Sequence, residues 1–500
     1  MKTMRHLIPP ELCTRCGACY AADRLQMLVR DDHDYPLIEA NADADEVLKL
    51  LSVCSGQNWN YRALIEREYG STCHYDPSTP DIGHHIKIYL VTSSDRTAQS
   101  LGQSGGVTTS LLRHAFETKL IDAALVVRRP SAPDGNPFAA EPYIARTPDE
   151  LHESYGSKYT ICPTLAKIRQ IASQSSAFAI TTLPCQTVGF KRLVMSHDSS
   201  LHDKCKLIIG PLCGLNMEIE AAMELARASG INPEDVYRFQ NRGGPFPGVT
   251  NYEMKDGTNY HVDRTVHRIL YRMYAPLRCY TCTDYGNELA DITAADCWER
   301  SPKGYKYPEG AAYLISRSKR GDDFVKDAIR SNVLLNHGVD PETVKNKWAL
   351  NVCYRKVRAH NRIRYWEKRG KPVPDHDYDM PLPYLDSRLA DKIDLTAWRI
   401  LQHGRIRKCV LWLWVRLARA PKGSLRSMVY MDCKKFIFTH TYDQFRWACV
   451  RDSGRLYVAW VKSRLKGLVT AILFSPIFLS RRVAGYCKKC FAPGPSNSKP

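Results

Sequence analysis

The stretch ITTLPCQTVGFKRL, residues 180–193, places a cysteine at the junction between two kinds of sequence pattern. The segment AFAITT (177–182) is a short apolar run that predicts a buried strand. The residues after it predict a helix, so Cys185 would lie at a helix N-terminus, where the helix dipole favours a thiolate. A strand that passes into a helix in this way is typical of an α/β sheet, whose ligands bind at the carboxyl edge.

The same alternation extends over residues 86–330. Four further runs predict strands: IKIYLVT (86–92), AALVVRR (123–129), KLIIGPL (206–212) and AAYLISR (311–317). Helical patterns such as VTTSLLRHAFETKL (107–120) lie between several of these runs. This order predicts an α/β body with a largely parallel or mixed sheet.

Three more cysteines follow predicted strands or turns in this region. Cys213 follows KLIIGPL, and Cys279 and Cys282 form a C-x2-C pair in LRCYTC. Cysteines at neighbouring strand ends can converge at the carboxyl edge of a sheet. Together with Cys185 they supply four thiolates, which is enough for one cubane iron–sulfur cluster. Simple packing is the alternative for isolated cysteines, namely Cys162, Cys205 and Cys297.

The N-terminal run CTRCGAC, residues 13–19, has the C-x2-C-x2-C spacing that wraps an iron–sulfur cluster. Its three thiolates come from Cys13, Cys16 and Cys19. We predict Cys54 as the fourth ligand, because the small residue and the glycine after it allow a tight turn. Cys73 is the second choice, and Asp23, as an oxygen ligand, is the third.

The compartment follows from the cysteines and from the first residues. The chain holds 18 cysteines, and its opening segment MKTMRHLIPPEL lacks the apolar region of a secretory signal. We therefore expect a cytoplasmic protein, in which cysteine clusters indicate metal or redox chemistry more than disulfides. Zinc is the alternative occupant of the N-terminal run, disfavoured because tetrahedral zinc prefers two separated pairs of ligands.

The segment GQSGGVTTSLL (102–112) places paired glycines before a predicted helix. Gly105 and Gly106 would let backbone N–H groups approach a ligand. The helix N-terminus would favour an anion, such as a flavin or nucleotide phosphate. On these residues alone, a plain glycine turn is an equally good interpretation.

Charge separates the end of the chain from the rest. Residues 401–500 hold 20 Lys and Arg against 3 Asp and Glu, whereas residues 1–400 hold 51 against 49. The tail interleaves apolar and basic residues, which predicts amphipathic helices on an anionic inner membrane face. The alternative is ordinary basic helices packed on the body. Nucleic-acid binding is not expected, because no recognition motif accompanies the charge.

In their order along the chain, these segments resemble the coenzyme F-420 hydrogenase/dehydrogenase beta-subunit family, with its 7-hydroxymethyl chlorophyll a reductase-like members. The resemblance rests on CTRCGAC, QSGGVTTSLLRHAFETKLIDAALVV, SYGSKYT (154–160), TLPCQTVGFKRL, IGPLCGLNM, CYTC and ELADITAADCW. It implies a flavoprotein that contains FAD and 4Fe-4S clusters, two of them here.

The resemblance also implies roles for particular residues. Its body-cluster cysteines match Cys185, Cys213, Cys279 and Cys282. Its flavin-contacting loop matches Gly105, Gly106, Val107 and Thr108. Its segment near the flavin matches Ser157, Lys158 and Tyr159, and a further stretch includes Asp291 and Asp296. No residue is assigned as the catalytic acid.

We predict an oxidoreductase that moves electrons from a ferredoxin-like donor through the clusters to FAD and on to a small organic substrate. A relay subunit of a larger complex is the alternative, and a scaffold without cofactors is disfavoured by the four body cysteines. The predicted domains are a ferredoxin-type domain (1–75), a flavin-binding lobe (85–200), a second lobe with the C-x2-C pair (201–350), a proline-rich linker (351–400) and the basic amphipathic tail (401–500).

Overall fold

The computed structural model describes residues 3–70, 82–132, 134–263, 273–302, 304–377 and 399–421, with a few single positions besides. It divides into two compact units. The first comprises Met1–Ile219, Val236–His261 and Ala275–Leu385, and the second comprises Glu220–Asp235, Val262–Tyr274 and Asp386–Pro500. Cys73 lies outside the described residues.

The strands of the described chain are β1 (Met4–His6), β2 (Val29–Arg30), β3 (Pro36–Glu39), β4 (Lys87–Ser93), β5 (Ala123–Arg128), β6 (Glu141–Ala145), β7 (Phe178–Thr181), β8 (Cys205–Pro211), β9 (Val236–Gly243), β10 (Val249–Met254), β11 (Asn259–Val262), β12 (Ile292–Asp296), β13 (Arg300–Ser301), β14 (Gly304–Tyr305), β15 (Ala312–Ser316) and β16 (Leu334–Asn336). The helices are α1 (Ala18–Ala22), α2 (Ala44–Ser52), α3 (Tyr61–Tyr69), α4 (Arg96–Leu101), α5 (Val107–Glu117), α6 (Ile168–Gln174), α7 (Pro184–Ser196), α8 (Ser200–Lys204), α9 (Glu220–Ala228), α10 (Leu277–Tyr280), α11 (Lys319–Arg330), α12 (Pro341–Glu367) and α13 (Gly404–Ala418).

A mixed eight-stranded sheet forms the centre of the first unit, with the strand order β16-β4-β15-β12-β8-β7-β5-β6. Strands β5, β7, β8 and β12 run parallel, and antiparallel strands flank them. The predicted α/β class and all five predicted strands are confirmed. The parallel strands end at one edge, so β7, β8 and β12 carry the residues that follow them to the same place.

Side chains on the two faces of this sheet enter different cores. Along β7, Phe178 and Ile180 pack in one core with Phe190 of α7, while Ala179 packs in the other with Leu111 of α5. This alternation is the period of two that a strand imposes. Helices therefore cover both faces, which explains why the central strands read as continuous apolar runs.

The N-terminal segment is a small antiparallel sheet, in the order β1-β3-β2, followed by short helices. Its buried residues, including Ala18 and Ala21 of α1, belong to the same core as Phe190 and Leu193 of α7. The cysteine run CTRCGAC is consequently packed directly against the helix that begins at Pro184.

A buried ion pair fastens the N-terminal run to the rest of the first unit. The Arg15 guanidinium, 3 % exposed, donates to both carboxylate oxygens of Glu218 at 2.5 and 2.8 Å. It also donates to the carbonyl of His33 and lies 4.5 Å from the ring centre of Tyr35. The guanidinium is thus enclosed, with Glu218 as its counter-charge.

We expect Glu218→Ala to lower the free energy of unfolding by about 2–3 kcal/mol, because it leaves the Arg15 charge buried without a partner. Denaturant unfolding followed by tryptophan fluorescence measures the change. The control is Lys319→Ala, which removes the exposed Lys319–Asp323 pair and should alter stability by no more than about 0.5 kcal/mol. Equal unfolding midpoints for the two variants would contradict the prediction.

The second unit contains the described part of the basic tail. Helix α13 buries Leu411, Trp414 and Val415, and the Arg407 guanidinium of the same helix lies 3.5 Å from Glu224 of α9. The apolar face of this helix is therefore covered within its own unit, as the alternative of packed basic helices predicts. Residues 432–500 lie outside the described residues. The predicted amphipathic helices of that segment, and their binding to a membrane, therefore stay a prediction. Among the described helices, none combines the length and apolar character needed to cross a bilayer.

Helix α12 runs to Glu367 and so extends into the segment predicted as a linker. Residues 378–398, which include much of the proline-rich stretch, are not among those described.

Candidate functional site

The N-terminal run and Cys54 meet in one place. Gly17 has φ +90° and permits the tight turn between the first cysteines and α1. Cys54 lies just after α2, where the hydroxyl of its neighbour Ser55 donates to Cys16 Sγ at 3.6 Å. Burial raises the pKa of Cys13, and the nearby thiol of Cys54 raises it further. Burial also raises the pKa of Cys19, and the nearby thiols of Cys16, Cys13 and Cys54 raise it further.

The third choice for the fourth ligand has another role. The Asp23 carboxylate accepts hydrogen bonds from the backbone N–H groups of Met27 at 3.0 Å and Leu28 at 2.8 Å. These bonds fix the loop that follows α1. The structure therefore brings Cys54, and not Asp23, to the N-terminal cysteines.

The four body cysteines surround a cavity of about 40 Å³ at the carboxyl edge of the sheet. Cys185 begins α7 after β7, and Cys213 follows β8. Cys279 and Cys282 lie on α10 and just beyond it. The other lining residues include Leu183, Pro184, Leu215, Asn216 and Arg278. Four thiols from three separate segments thus face one small cavity.

The two cysteine sets are neighbours. Cys13 lines the cavity of the body cysteines. A Cβ placed on Gly189 of α7 would lie 3.3 Å from Cys16 Sγ and 3.1 Å from the Cβ of Ala18. Burial raises the pKa of Cys185, and Cys16 is the thiol with the largest further effect. A glycine at position 189 therefore permits α1, and the first cysteine set with it, to approach α7.

The thiols are poorly suited to act as free nucleophiles. Burial raises the pKa of Cys213 and Cys279, and it raises that of Cys282 to about 12. Only a nearby positive group would stabilise the thiolates, and metal binding supplies one. Among the residues that the structure describes, no three His, Cys, Asp or Glu side chains are close enough to ligate a single ion.

The paired glycines lie in a tight turn between α4 and α5. Gly105 has φ +75° and Gly106 has φ +68°. A Cβ on Gly106 would overlap the carbonyl oxygen of Ala98, and one on Gly105 would lie 2.9 Å from that of Gly310. Packing against the chain's own backbone therefore requires both glycines. What remains for a ligand is the N-terminus of α5, whose first N–H groups have no partner within the helix.

Within α5 the two other predicted contact residues differ. The Val107 side chain is buried in the core, so only its backbone N–H can meet a ligand. Thr108 is half-buried, which leaves its side chain accessible at the helix N-terminus.

Three of the predicted segments meet at Arg242, a residue that sequence reasoning did not identify. The Arg242 guanidinium, 4 % exposed, donates to Asp296 Oδ2 at 2.8 Å and is hydrogen-bonded to Tyr159. The hydroxyl of Ser104, next to Gly105, donates to the other oxygen of Asp296. Burial would lower the pKa of Arg242, but Asp296 and Tyr159 outweigh burial and raise it. The glycine- and proline-rich stretch NRGGPFPG (241–248) was the only sequence signal for it.

The segment around Tyr159 connects this network with the cysteine cavity. Met217 N donates to the carbonyl of Tyr159 at 2.8 Å, and Ile161 N donates to the carbonyl of Met217 at 3.2 Å. Ile161 lines the cavity, as does Asn216. These backbone hydrogen bonds pair the segment at Tyr159–Ile161 with the segment at Met217. They connect the Arg242 network with the lining of the cysteine cavity.

Lys158 and Ser157 belong to the same segment. Lys158 Nζ donates to the carbonyls of Ser154 and Tyr155 at 2.5 and 2.7 Å. Burial and the neighbouring Arg129 lower its pKa to about 7. Ser157 is half-buried.

Asp291, unlike Asp296, forms hydrogen bonds that hold elements of the fold together. Its carboxylate accepts from Arg320 at 2.7 and 2.8 Å and from the backbone N–H of Ile208 at 2.8 Å. Burial would raise the pKa of Asp291, but Arg320 outweighs burial and holds it below the usual range. This pair fixes α11 to β8 and takes no part in the site.

The chain is similar to several known proteins. Residues 88–169 match the family model for the N-terminal region of the coenzyme F420 hydrogenase/dehydrogenase beta subunit, and residues 176–342 match the model for its C-terminal region. The chain is 26 % identical over 302 residues to a coenzyme F420 hydrogenase subunit beta of Methanothermobacter thermautotrophicus, which covers 59 % of this chain and 99 % of the relative. It is 24 % identical over 261 residues to a coenzyme F420 hydrogenase subunit beta of Methanococcus voltae, covering 52 % and 86 %.

A plant protein is also similar. A chloroplastic 7-hydroxymethyl chlorophyll a reductase of Oryza sativa subsp. japonica is 24 % identical over 257 residues, which are 48 % of this chain and 51 % of that protein. The relatives are oxidoreductases by name. The two matched regions follow each other along the chain and together cover the eight-stranded sheet. The chain belongs to the coenzyme F420 hydrogenase/dehydrogenase beta-subunit family.

Proposed function

We propose that this chain is an iron–sulfur flavoprotein oxidoreductase that passes electrons from a ferredoxin-like donor to FAD and on to a small organic substrate. The observation that carries the proposal is the adjacency of two four-cysteine sets beside the Arg242 network. When bound, 4Fe-4S clusters would pass electrons singly and a flavin would store them in pairs.

Each cysteine set has the ligands for one cluster. Cys13, Cys16, Cys19 and Cys54 would hold the first, and Cys185, Cys213, Cys279 and Cys282 would hold the second. In the first set Cys19 and Cys54 are only partly buried, whereas Cys13 and Cys16 are buried. Electrons would enter on the side of Cys19 and pass by way of Cys16 to Cys185, whose thiol interacts electrostatically with Cys16.

The flavin would lie between the N-terminus of α5 and the Arg242 network. The N–H groups of Val107 and Thr108 would bind its phosphate, since a helix N-terminus favours an anion. Arg242 and Asp296 would hold Ser104 and Tyr159 in place around the ring. Lys158, with a pKa of about 7, is able to hold or release a proton at neutral pH, although its two carbonyl partners favour the charged form.

The test is anaerobic purification followed by an absorbance spectrum and quantitation of iron, sulfide and flavin. We expect about eight irons and one FAD per chain, since each cubane cluster takes four cysteines. Reduction by a chemically reduced ferredoxin should then bleach the flavin absorbance. A chain that binds neither iron nor flavin after reconstitution would contradict the proposal.

A second candidate is a relay subunit of a larger complex. The names of two relatives favour it, since both are called subunits of an F420 hydrogenase. A stand-alone reductase would turn over its substrate as a purified single chain. A relay subunit would need partner chains for turnover, so light scattering and activity of the purified chain separate the two.

A further inference from the structure

Arg278 is a fully buried cation between the two cysteine sets. Its side chain is among the largest that are wholly enclosed, with 1 % of the residue exposed. Its guanidinium donates to the carbonyls of Gly56 at 2.9 Å and Ser55 at 3.3 Å, and to the hydroxyl of Thr281 at 3.3 Å. In the described chain, no carboxylate lies within ion-pair distance of it.

The position of this charge is fixed from both sides. Arg278 belongs to α10, directly before Cys279, while Ser55 and Gly56 directly follow Cys54. The Trp59 ring lies 5.4 Å from the guanidinium carbon, and the indole N–H of Trp59 donates to the carbonyl of Ser55. One side chain therefore joins the loop that carries Cys54 to the loop that carries the C-x2-C pair.

A buried cation without a counter-ion is costly unless negative charge lies nearby. The carbonyl and hydroxyl acceptors around Arg278 satisfy its hydrogen bonds but carry no net charge. Burial lowers its pKa, and the thiols that oppose this effect are Cys282, Cys185, Cys279 and Cys54. These four thiols come from both sets, so the proposed ligands of both clusters are placed to balance the charge of Arg278.

We propose that the positive charge of Arg278 acts on both clusters and makes each of them easier to reduce. The proposal rests on the two-cluster function above. A cluster with four thiolate ligands carries negative charge, which increases when it accepts an electron. A fixed cation next to Cys54 and next to Cys185, Cys279 and Cys282 stabilises that added charge in either cluster, because net charge is one of the determinants of cluster potential.

The test is an anaerobic redox titration of the purified protein, followed by electron paramagnetic resonance. Arg278→Gln should shift the midpoint potentials of both clusters in the negative direction. We expect the ratio of reduced to oxidised cluster at a fixed potential to fall about tenfold for each, which is about 59 mV for one electron. Cys54→Ala and Cys213→Ala variants assign the two signals. Arg278→Lys keeps the charge and should retain most of each potential.

Arg192 provides a matched control. Its guanidinium donates to the carbonyls of Ser52 at 2.8 Å and Asn58 at 2.7 Å, and among the cysteines it interacts with Cys54. Arg192→Gln should therefore shift the first cluster and leave the second unchanged. If Arg278→Gln does not fold, Arg278→Met replaces it, since Met fills similar space without an unsatisfied polar group.

Two results would overturn the proposal while leaving the function intact. One is a protein with about eight irons in which neutral variants of Arg278 keep both potentials. The other is a shift confined to one cluster. Loss of both clusters in the neutral variants, with retention in Arg278→Lys, would support a role of the charge. Absence of iron from the unaltered protein would contradict the proposed function itself.

Discussion

Cys213→Ala is expected to remove about half of the bound iron and sulfide, while the cluster of the N-terminal set keeps its spectrum. Cys213 is one of four thiols around the cavity at the carboxyl edge of the sheet. Without it the body cluster would lose one of its four anchors, and the three remaining, partly buried thiols would revert to neutral SH groups. Iron and sulfide quantitation per chain and electron paramagnetic resonance of the reduced protein measure the effect.

The control for this variant lies on β8, the strand that Cys213 follows. Cys205 is the first residue of β8 and is 1 % exposed, but it belongs to neither set. Cys205→Ala should leave the iron content unchanged and cost only a small packing term. Cys54→Ala should remove the other half of the iron. A full iron complement in Cys213→Ala would show that this thiol is not a ligand, and equal losses in Cys205→Ala would indicate general misfolding.

The fold could be predicted well because its signals are local. Each of the five predicted strands is a short apolar run bounded by a turn, and α5 keeps one apolar face, so period and composition suffice. Strand β12, with the sequence ITAAD, lacks such a run and was not predicted. The cysteines also lie where local rules place them, with Cys185 at a helix start and Cys213 after a strand. Parallel strands then bring both to one edge of the sheet without further information.

Residues that act through long-range contacts could not be predicted in the same way. Arg242 is recognisable only once Ser104, Tyr159 and Asp296 are known to surround it, and these residues are distant in the sequence. Asp291 and Asp296 occupy one short stretch, yet one is paired with Arg320 and the other faces the site. No local pattern separates two such carboxylates.

The paired glycines show a different limit. On the sequence alone, a loop whose backbone N–H groups approach a ligand and a plain glycine turn were equally good interpretations. In the structure the absent Cβ atoms make room for the backbone carbonyls of Ala98 and Gly310. The glycines therefore position the start of α5, and the helix N-terminus is the feature left for the phosphate of the proposed flavin.

Arg242→Gln is expected to weaken FAD binding by between ten- and a hundredfold while leaving the iron content unchanged. The substitution removes the group that links Tyr159 to Asp296, and the Asp296 carboxylate keeps Ser104 as a partner. Loss of a charged hydrogen bond at a partly buried carboxylate costs about 1.5–3 kcal/mol. The segments around the flavin should then lose their arrangement and bind it less tightly. Each 1.4 kcal/mol is about tenfold in affinity, which gives the expected range. Fluorescence titration of the flavin-free protein with FAD gives the dissociation constant.

Arg238 supplies the matched control for this second prediction. It lies on β9, as Arg242 does, but its side chain is 54 % exposed and its nearest carboxylate, Glu253, is 3.9 Å away. Arg238→Gln should therefore leave FAD affinity unchanged, since exposed pairs of this kind contribute little. Unaltered iron in Arg242→Gln would show that the cysteine sets are intact and that the loss is specific to the flavin. If Arg242→Gln bound FAD as tightly as Arg238→Gln, the network would be structural and the flavin would have to bind elsewhere.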